Sequence, residues 1–360
     1  MTDKIYLLGL DIGGANTKAA LVEFDNKKLN KIFTAIRYYP FWEKTIKELP
    51  NMLRNLSTQL LEKSNIGIDD INKIAVTITA ELSDAFQTKR EGIQTILKAL
   101  KRVFESDKIM VINNQNIFLK VQNALENYLN VAGANWVATA LFIGSYKPEC
   151  ILIDAGSTTI DLIPIKYGKP QTIGKDDVSR IMNHELIYTG ALRATIPSIT
   201  NFVPFKGKNC RISFEKFALI ADVHRILGHI TEEEYTCDTA DNRSKSFDNC
   251  YARLSRIICS DLEQTTKDEL NSIANYIYQA QLKIIMDEIQ LFMEQTSYRL
   301  PDLTKNPLFI TTGLGETFLI NTALKNLGYN NMVSFSDIIK FPDNVISSAI
   351  AVAGALNLVI

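Results

Sequence analysis

Apolar and polar residues alternate near the start of the chain in a way that predicts three antiparallel strands. Apolar runs at residues 5–11 and 16–24 flank a short glycine turn, and residues 31–38 supply the third strand. Residues 42–65 then carry apolar side chains at helical spacing, which predicts a helix. Pro50 marks either a kink in that helix or its first turn, because proline has no N–H to donate.

The next segments predict a buried strand and a loop. Residues 73–79 are largely β-branched and apolar, which is typical of a strand buried on both faces. The polar residues 80–92 are predicted to form a loop that leads into a helix. Loops at the carboxyl ends of strands in α/β folds are where ligands bind. This charged loop is therefore a candidate binding segment, although a solvated surface loop has the same composition.

An internal repeat organises the chain. An apolar strand ends at Asp11, passes through two glycines and small polar residues, and continues as an apolar strand. The same succession returns at Asp154, after a small-residue helix, with Gly156 and three hydroxyl residues in the turn. A duplicated strand–turn–strand unit indicates a shared role more strongly than either copy alone.

The last third of the chain is predicted to be largely helical. Residues 213–230 and 272–295 repeat apolar residues at the helical period, and the polar residues 237–249 between them predict a loop. Residues 308–320 predict a strand and a third glycine turn that opens a helix. Residues 345–360 are almost uncharged but shorter than the roughly 18 to 20 residues that span a bilayer, which predicts a buried helix packed on a sheet.

Composition narrows the class of protein. The 360 residues are 46% hydrophobic and 22% charged, which suits a globular protein with two domains. A net charge of −1 gives no basic surface for nucleic acid or for an anionic membrane. The five cysteines are odd in number and lack a CxxC pair, so we expect free thiols in a reducing compartment. With no segment typical of a signal peptide, the sequence predicts a cytoplasmic protein.

The glycine turns are candidate phosphate sites. Consecutive backbone N–H groups in such turns form nests that bind anions, and neighbouring hydroxyl, amide or ammonium groups add further donors. The alternative is an ordinary hairpin turn, in which an aspartate before glycine acts as a cap. The duplication of the acid–glycine turn favours the phosphate site.

Five segments stand in a fixed order: an Asp–Gly turn, a small-residue helix, a second Asp–Gly turn, the turn TTGLGET, and a small-residue helix at 345–360. That order resembles the superfamily of actin, sugar kinases and the seventy-kilodalton heat-shock chaperones. The resemblance implies an α/β protein with the actin-like (ribonuclease H-like) ATPase fold, in which two similar domains with mixed five-stranded sheets surround a central cleft. The implied domains are 1–133 with 345–360, and 134–344 with a helical insertion.

The wording of several motifs is closer to one branch of that superfamily. GLDIGGANTKAAL, TITAELSDAFQTKREG, IDAGSTTIDLIPI, ELIYTGALR and TADNRSK resemble the archaeal hydantoinase/oxoprolinase-related family, and within it the proteins of methanofuran biosynthesis. The resemblance implies a transferase that joins 5-(aminomethyl)furan-3-yl-methyl diphosphate to the phenol oxygen of γ-glutamyltyramine and releases diphosphate. It implies Mg²⁺ as the cofactor and small molecules as partners, and the sequence leaves open whether the chain forms a homodimer.

The resemblance also implies roles for individual residues. Asp11 and Asp154 are the expected magnesium ligands and catalytic acids, since carboxylates bind Mg²⁺ beside substrate phosphates. Glu81 or Asp84 is the expected base for the phenol, whose pKa near 10 requires a base at neutral pH. The residues expected to bind the diphosphate are Gly13, Gly14, Asn16, Thr17, Lys18, Gly156, Ser157, Thr158, Thr159, Gly313 and Gly315. Those expected to contact the remainder of the substrates are Lys89, Arg90, Asn135, Trp136, Tyr188, Arg193, Asp241, Arg243 and Lys245.

Some candidates fit structural roles equally well. Asn135 can cap a helix as readily as it can line a cleft, although an amide beside Trp136 argues for a site without a hydrolytic water. His184, His224 and His229 are expected to be structural, because the last two are five residues apart and do not share a helix face.

Two other functions remain open at this point. The first is an ATP-dependent small-molecule kinase or a hydantoinase-like, ATP-driven amidohydrolase. Leu314 and Glu316 argue against it, because nucleotide-binding relatives carry glycine and hydroxyl residues at those places in the third turn. The second is a non-catalytic sensor on the same fold, which would need neither of the two acid–hydroxyl turns.

Overall fold

The computed structural model describes residues 4–44, 46–341 and 346–360. The packing of the chain separates it into two compact units. The first unit comprises Met1–Leu152, Ile163–Asn183 and Val333–Ile360, and the second comprises Ile153–Leu162 and His184–Met332.

The strands are β1 (Lys4–Gly13), β2 (Asn16–Asp25), β3 (Lys28–Tyr38), β4 (Ile71–Thr79), β5 (Ile109–Ile112), β6 (Phe118–Lys120), β7 (Cys150–Ala155), β8 (Ile160–Lys166), β9 (Lys169–Pro170), β10 (Leu186–Ile187), β11 (Phe202–Phe205), β12 (Lys208–Arg211), β13 (Phe309–Thr312) and β14 (Met332–Ser334). One sheet has the order β3-β2-β1-β4-β5-β6. Another has the order β10-β8-β7-β13-β14, with β9 beside β8, and β11 pairs with β12. Strands β7 and β8 run through both units.

The helices are α1 (Leu49–Ser64), α2 (Lys89–Lys101), α3 (Val121–Glu126), α4 (Tyr128–Val131), α5 (Asn135–Tyr146), α6 (Asp177–Met182), α7 (Ile220–Ile226), α8 (Phe247–Arg256), α9 (Lys267–Arg299), α10 (Pro301–Lys305), α11 (Thr322–Asn326), α12 (Phe335–Ile339) and α13 (Ser347–Asn357). A short π-helical segment, Glu316–Asn321, precedes α11. The predicted order of strands, glycine turns and helices is therefore confirmed along most of the chain.

The first sheet is mixed, as predicted, but it is wider. Strands β1, β2 and β3 pair antiparallel, whereas β1, β4 and β5 run parallel. The prediction of five strands is corrected to six, because the short strand β6 adds antiparallel to β5. The parallel strands bring their carboxyl ends to one edge of the sheet, and both the first glycine turn and the loop after β4 begin there.

The two faces of the first sheet bury different helices. Leu8, Leu10 and Ile12 belong to a core shared with α1 and α2. Gly9 points to the opposite face, because side chains alternate along a strand. There α13 packs on β1, β2 and β4 and against α5. A β-carbon on Gly9 would lie 2.0 Å from the carbonyl oxygen of Ala349, so only glycine admits the helix this closely.

The second unit is organised around the 33-residue helix α9. Its buried side chains recur every three or four residues, and it packs against α7, α8, α10 and α11. The predicted helix at 272–295 is confirmed and extends by several residues at each end. Thr266 begins it with a capping box, in which its hydroxyl accepts from the N–H of Glu269 while the Glu269 carboxylate accepts from the N–H of Thr266.

Three other predicted element limits are wrong. Helix α1 begins at Leu49 rather than at residue 42, with Pro50 in its first turn, where no N–H is needed. The loop 80–92 is shorter than predicted, because the Thr88 side chain caps α2 and the helix begins at Lys89.

The third error concerns residues 213–230, of which only Ile220–Ile226 form a helix. The Asp222 carboxylate accepts a 2.9 Å hydrogen bond from the N–H of Leu219 and fixes the start of α7. Gly228, with φ of +73°, ends the segment in the left-handed conformation. Apolar periodicity alone does not reveal these two stops.

The packing units differ from the domain limits implied by the sequence. Helix α5 packs on α13 and on β4 and β5, so it belongs to the first unit rather than to a domain that begins at residue 134. The limit at 344/345 lies outside the described residues. The predicted duplicated halves therefore remain a prediction.

The described part of the C-terminal segment forms α13, and every residue of this helix is buried, as predicted. No helix among the described residues has the length and apolar character needed to cross a membrane. The five cysteines are free thiols, also as predicted.

Candidate active site

A buried acid stands beside the first glycine turn, which joins β1 to β2. In the sheet register Asp11 lies opposite Lys18 on β2 and Thr77 on β4. Its Oδ2 atom accepts a 2.5 Å hydrogen bond from the hydroxyl of Ser348, in the first turn of α13. Burial raises the pKa of Asp11, while the charge of Lys18 and the hydrogen bond from Ser348 oppose the rise.

The other carboxylate oxygen of Asp11, Oδ1, is buried without a hydrogen-bond partner among the described residues, and so are the hydroxyls of Thr17 and Thr77. A buried polar atom left unpaired costs about 1–3 kcal/mol, so such atoms mark places that an ion, a ligand or water completes. An open carboxylate oxygen fits Mg²⁺, which binds through one or two carboxylates together with water and phosphate. Among the described residues, no three His, Cys, Asp or Glu side chains lie close enough together to bind a metal ion by themselves.

Residues after β3 orient the peptide groups of the first turn. The carbonyl oxygen of Ala15 accepts from the N–H of Tyr39 at 2.7 Å, and that of Gly14 accepts from Phe41 at 3.0 Å. In a trans peptide the C=O and N–H groups point in opposite directions. The N–H groups of Ala15 and Asn16 are therefore directed away from the segment that follows β3.

The loop after β4 lies against this first turn. A β-carbon on Gly14 would lie 3.6 Å from the side chain of Ser83, and one on Gly13 would lie 3.5 Å from Oγ1 of Thr79. The structure thus brings the first glycine turn and the loop that carries Glu81 together, as expected for the carboxyl edge of parallel strands.

Glu81 has the chemistry of a base within that loop. Its side chain is only 2% exposed, and Oε2 has no hydrogen-bond partner among the described residues. Burial raises the pKa of Glu81 to about 7; Lys89 opposes the shift and Asp177 adds to it. Helix α2 closes over the residue, since a β-carbon on Gly92 would lie 2.7 Å from Cα of Glu81. A carboxyl group with this pKa exchanges protons at neutral pH.

The other charged candidates of this loop are placed differently. Asp84 is exposed, whereas Lys89 and Arg90 lie in the first turn of α2. The guanidinium of Arg90 stacks 4.2 Å from the ring centre of Tyr128. Of the two candidate bases, Glu81 is therefore the one that the fold buries.

Helix α5 contributes a buried aromatic residue to the same unit. The N-cap of α5 is Ala134, so Asn135 is the first helical residue, and the alternative role of Asn135 as the cap is wrong. Trp136 is 3% exposed, and the buried guanidinium of Arg180 stacks 4.5 Å from the centre of its ring.

The second glycine turn, between β7 and β8, presents a row of N–H groups. The carbonyl oxygens of Gly156, Ser157 and Thr158 all accept hydrogen bonds from the backbone of residues 190–193, at 2.8–3.1 Å. Because C=O and N–H are antiparallel within a peptide, the N–H groups of Ser157, Thr158 and Thr159 all point away from residues 190–193. Consecutive N–H groups on one side form an anion-binding nest.

The third glycine turn, at Gly313–Gly315, packs against Asp154, the acid that precedes the second glycine turn. A β-carbon on Gly313, whose φ is +92°, would lie 2.6 Å from Oδ1 of Asp154. The N–H of Gly315 donates to the carbonyl oxygen of Ala155 at 2.9 Å. Glu316 accepts a 2.9 Å hydrogen bond from the hydroxyl of Thr311 in the buried start of the π-helical segment. Asp154 and the second and third turns therefore form one cluster in the second unit.

The weaker candidates of the second unit fall into two groups. Tyr188 and Arg193 are exposed on either side of Gly190, beside the second turn. Asp241 forms ion pairs with Arg253 at 3.0 Å and Arg256 at 2.9 Å, which gives it a structural role.

Arg243 is exposed, and its Nε atom lies 3.9 Å from Asp241. The ammonium group of Lys245 lies 5.4 Å from the centre of the Tyr235 ring. These contacts make TADNRSK a packed loop.

The three histidines contact other side chains of the second unit. His224 and His229 approach each other through their Nδ1 atoms at 3.3 Å, and the ring of His229 stacks on Phe318. Burial lowers the pKa of His224 to about 3, so its ring is neutral at pH 7. His184 lies 2.9 Å from Glu288.

Comparison with known proteins decides the family. The family described as Hydantoinase/oxoprolinase matches residues 72–357, which covers the loop of Glu81, both later turns and α13. This chain belongs to the hydantoinase/oxoprolinase family. The family resemblance drawn from the motifs is thereby confirmed.

Two relatives of this chain carry the same name. The (4-{4-[2-(gamma-L-glutamylamino)ethyl]phenoxymethyl}furan-2-yl)methanamine synthase of Methanocaldococcus jannaschii is 40% identical over 317 residues, which cover 88% of each chain. The synthase of that name from Methanococcus vannielii is 38% identical over 183 residues, which cover 51% of this chain and 78% of the relative. Both relatives are named as enzymes.

A solved structure shows the fold of this hydantoinase/oxoprolinase protein. It is similar to nucleotide-free acetone carboxylase with a TM-score of 0.57 at 11% identity, over 97% of this chain and 70% of the other. The fold is the actin-like ATPase fold, as expected. At this identity the likeness concerns the fold alone.

Sequence reasoning missed several residues of the site. Ser348 and Gln281 lie among largely apolar buried residues of their helices, so a polar residue at an apolar position of the helical period was the available signal. Gly190 lies inside the motif ELIYTGALR, but only the fold shows that it touches the second turn.

Proposed function

We propose that this chain joins 5-(aminomethyl)furan-3-yl-methyl diphosphate to the phenol oxygen of γ-glutamyltyramine, with release of diphosphate. The observation that carries the proposal is the 40% identity, over 88% of both chains, to a synthase whose name describes that phenoxymethyl-furan product. The nest at the second turn and the buried Glu81 support it, because the reaction needs an anion site and a base.

The reaction breaks one carbon–oxygen bond and forms another. The bond between the furan-methyl carbon and the diphosphate oxygen breaks, and both electrons leave with the diphosphate. The furan ring stabilises the positive charge that develops on carbon, and the phenol oxygen attacks that carbon to form the ether. The phenol proton passes to a base, so the products are the ether and diphosphate.

The second turn suits the leaving group. Its N–H groups at Ser157, Thr158 and Thr159 are held in a common direction before any ligand arrives. Preorganised donors of this kind stabilise charge that grows in the transition state, and removal of one well-placed donor typically costs about 2.7–4 kcal/mol of barrier. The first turn, with Lys18 and the N–H groups of Ala15 and Asn16, offers a second set of donors.

Magnesium fits the acids beside these turns. Asp11 would hold it through the open Oδ1 atom, and Asp154 is the second candidate ligand in its own unit. When bound, Mg²⁺ supplies positive charge that neutralises the diphosphate. The protein supplies the orientation of Asp11 through Ser348 and the backbone donors of the turns.

Glu81 is the proposed base. A carboxylate with a pKa of about 7 is a stronger base than an ordinary glutamate and is still about half ionised at neutral pH. Its burial also keeps water away from the carboxylate, which favours proton transfer from a phenol.

One assay tests the proposal. Purified protein is incubated with the furan-methyl diphosphate, γ-glutamyltyramine and Mg²⁺, and ATP is present in a parallel reaction. Mass spectrometry is expected to show the ether and free diphosphate, with ATP intact. Consumption of ATP without ether would contradict the proposal and support the kinase or amidohydrolase alternative.

Variants at both turns extend the test. Asp11→Asn and Asp154→Asn are expected to reduce ether formation at a fixed Mg²⁺ concentration. Lys305→Ala lies in α10, outside both turns, and serves as the control. Wild-type activity in all three variants would show that neither acid takes part in the reaction.

A further inference from the structure

Helix α9 carries a glutamine at a position where its pattern calls for an apolar residue. Gln281 is 0% exposed and continues the buried stripe of Ile277, Tyr278 and Ile285. Burial of an amide is costly unless its polar atoms are hydrogen-bonded. A leucine would fill this position at no such cost, so the contacts of Gln281 need an explanation.

The amide group of Gln281 binds the segment behind the second glycine turn. Its Nε2 atom donates to the carbonyl oxygen of Gly190 at 3.0 Å and to the hydroxyl of Thr189 at 3.1 Å. The orientation of the amide is fixed, because the Gly190 carbonyl can only accept and Nε2 is the only donor of the side chain.

The same segment sets the direction of the nest. The N–H of Gly190 donates to the carbonyl oxygen of Thr158 at 2.8 Å, directly beside the carbonyl that Gln281 holds. A β-carbon on Gly190 would lie 2.5 Å from the carbonyl oxygen of Gly156, which shows how closely the two loops are packed. Two hydrogen bonds in series therefore link Gln281 to the peptide group that precedes Thr159.

We infer that Gln281 is a positioning residue for the leaving diphosphate: it anchors Thr189 and Gly190 so that residues 190–193 hold the turn carbonyls and the nest N–H groups face the ligand. The inference rests on the proposed function. Gln281 itself touches neither substrate nor the turn. It acts through Gly190, so its loss should loosen the turn without removing any donor to the ligand.

Two variants separate the hydrogen bonds of Gln281 from the bulk of its side chain. Gln281→Met keeps the length and approximate shape of the side chain but has no N–H group to donate. Thr189→Val removes only one of the two acceptors and is the milder variant.

Binding of inorganic diphosphate in the presence of Mg²⁺, measured by calorimetry, tests the inference. We expect Gln281→Met to raise the dissociation constant about tenfold and Thr189→Val to raise it less. Tyr251→Phe, which removes a 2.7 Å hydrogen bond to Asn271 elsewhere on α9, is the matched control and should bind like the wild type.

Hydrogen exchange separates positioning from general destabilisation. In Gln281→Met the amides of residues 190–193 should exchange faster, while the amides of α9 keep wild-type protection. Equal diphosphate affinity in the wild type and Gln281→Met would overturn the inference and leave the proposed function intact. Absence of diphosphate binding by the wild type would instead remove the leaving-group site and, with it, both proposals.

Discussion

The hydroxyl of Ser348 donates a 2.5 Å hydrogen bond to Asp11, across 337 residues of chain. Both side chains are buried, at 3% and 6% exposure, so the bond is shielded from water. The C-terminal helix therefore sets the orientation of the acid beside the first turn, and the open Oδ1 atom of Asp11 depends on that orientation.

Ser348→Ala is expected to lower the affinity for Mg²⁺, although it removes none of the proposed ligands. A hydrogen bond to a charged group contributes about 1.5–3 kcal/mol, so the Mg²⁺ concentration for half-maximal ether formation should rise about tenfold or more. Titration of activity with Mg²⁺ measures this. Ser348→Thr keeps the hydroxyl and should restore most of the affinity; equal values for the alanine and threonine variants would contradict the role of the hydroxyl.

Glu81→Gln is expected to make the protein more stable at high pH. The pKa of Glu81 is about 7 in the folded chain, against 4.5 for an ordinary glutamate side chain. Between these values the unfolded chain releases a proton that the folded chain keeps, so stability falls as pH rises. The shift corresponds to about 3 kcal/mol. The variant should match the wild type near pH 4.5 and exceed its free energy of unfolding at pH 8.

Denaturant unfolding at the two pH values checks this prediction. Asp84→Asn changes an exposed acid of the same loop and should leave the pH dependence as it is in the wild type. The same Glu81→Gln protein should form ether about 10²–10⁴ times more slowly, because it has lost the proposed base. If Glu81→Gln is no more stable than the wild type at pH 8 and is fully active, both the raised pKa of Glu81 and its role as the base are refuted.

Gly190→Ala should disrupt the second turn. The new methyl group would meet backbone atoms of Gly156, Ser157 and Thr158 at 2.5–2.8 Å, and backbone cannot rotate away as a side chain can. We expect a loss of stability of about 1–3 kcal/mol, typical of overpacking, and loss of diphosphate binding.

Gly67→Ala is the control for the Gly190 variant. Its φ of −84° suits alanine, and the nearest atom to the new methyl group is a side-chain oxygen of Asp70 at 3.3 Å. Thermal unfolding and diphosphate calorimetry should show little change in this protein. Wild-type diphosphate affinity in Gly190→Ala would mean that the two loops are not coupled.

Arg253→Met should unfold the second unit more easily. Arg253 is fully buried between Asp222, at 2.8 Å, and Asp241, at 3.0 Å. Removal of one member of a buried ion network leaves uncompensated charge, which costs about 3–5 kcal/mol. Urea unfolding measures the loss. Arg243→Ala, in the exposed part of the same loop, should change stability little; a similar loss in both variants would argue against the buried network.

The turns were predictable from sequence because their chemistry is local. Asp11 and Asp154 precede glycines in two copies of one pattern, and each copy forms the expected strand–turn–strand. Helix α13 was predictable because an uncharged segment has to be buried. The starts of α2 and α7 depend on capping by Thr88 and Asp222, which periodicity does not capture.

The supporting contacts could not be predicted, because they join distant segments. Nothing in the sequence pairs Gln281 with Gly190 or Ser348 with Asp11, because each contact joins a helix to a segment that is distant in the sequence. The burial of Glu81 depends likewise on the close approach of α2 at Gly92. The sequence shows which groups carry chemistry, whereas long-range packing determines which of them is held and perturbed.

The hydrogen bond between Asp11 and Ser348 also means that, during synthesis, Asp11 is made long before the residue that orients it. The ribosome delivers the hairpin of Asp11 early and Ser348 more than three hundred residues later, so a nascent chain contains the acid long before it contains the group that orients it. A message truncated before α13 would therefore yield a polypeptide with both glycine turns and an unanchored Asp11. Until α13 has been synthesised and packed on the first sheet, a nascent chain therefore lacks the hydroxyl that orients Asp11.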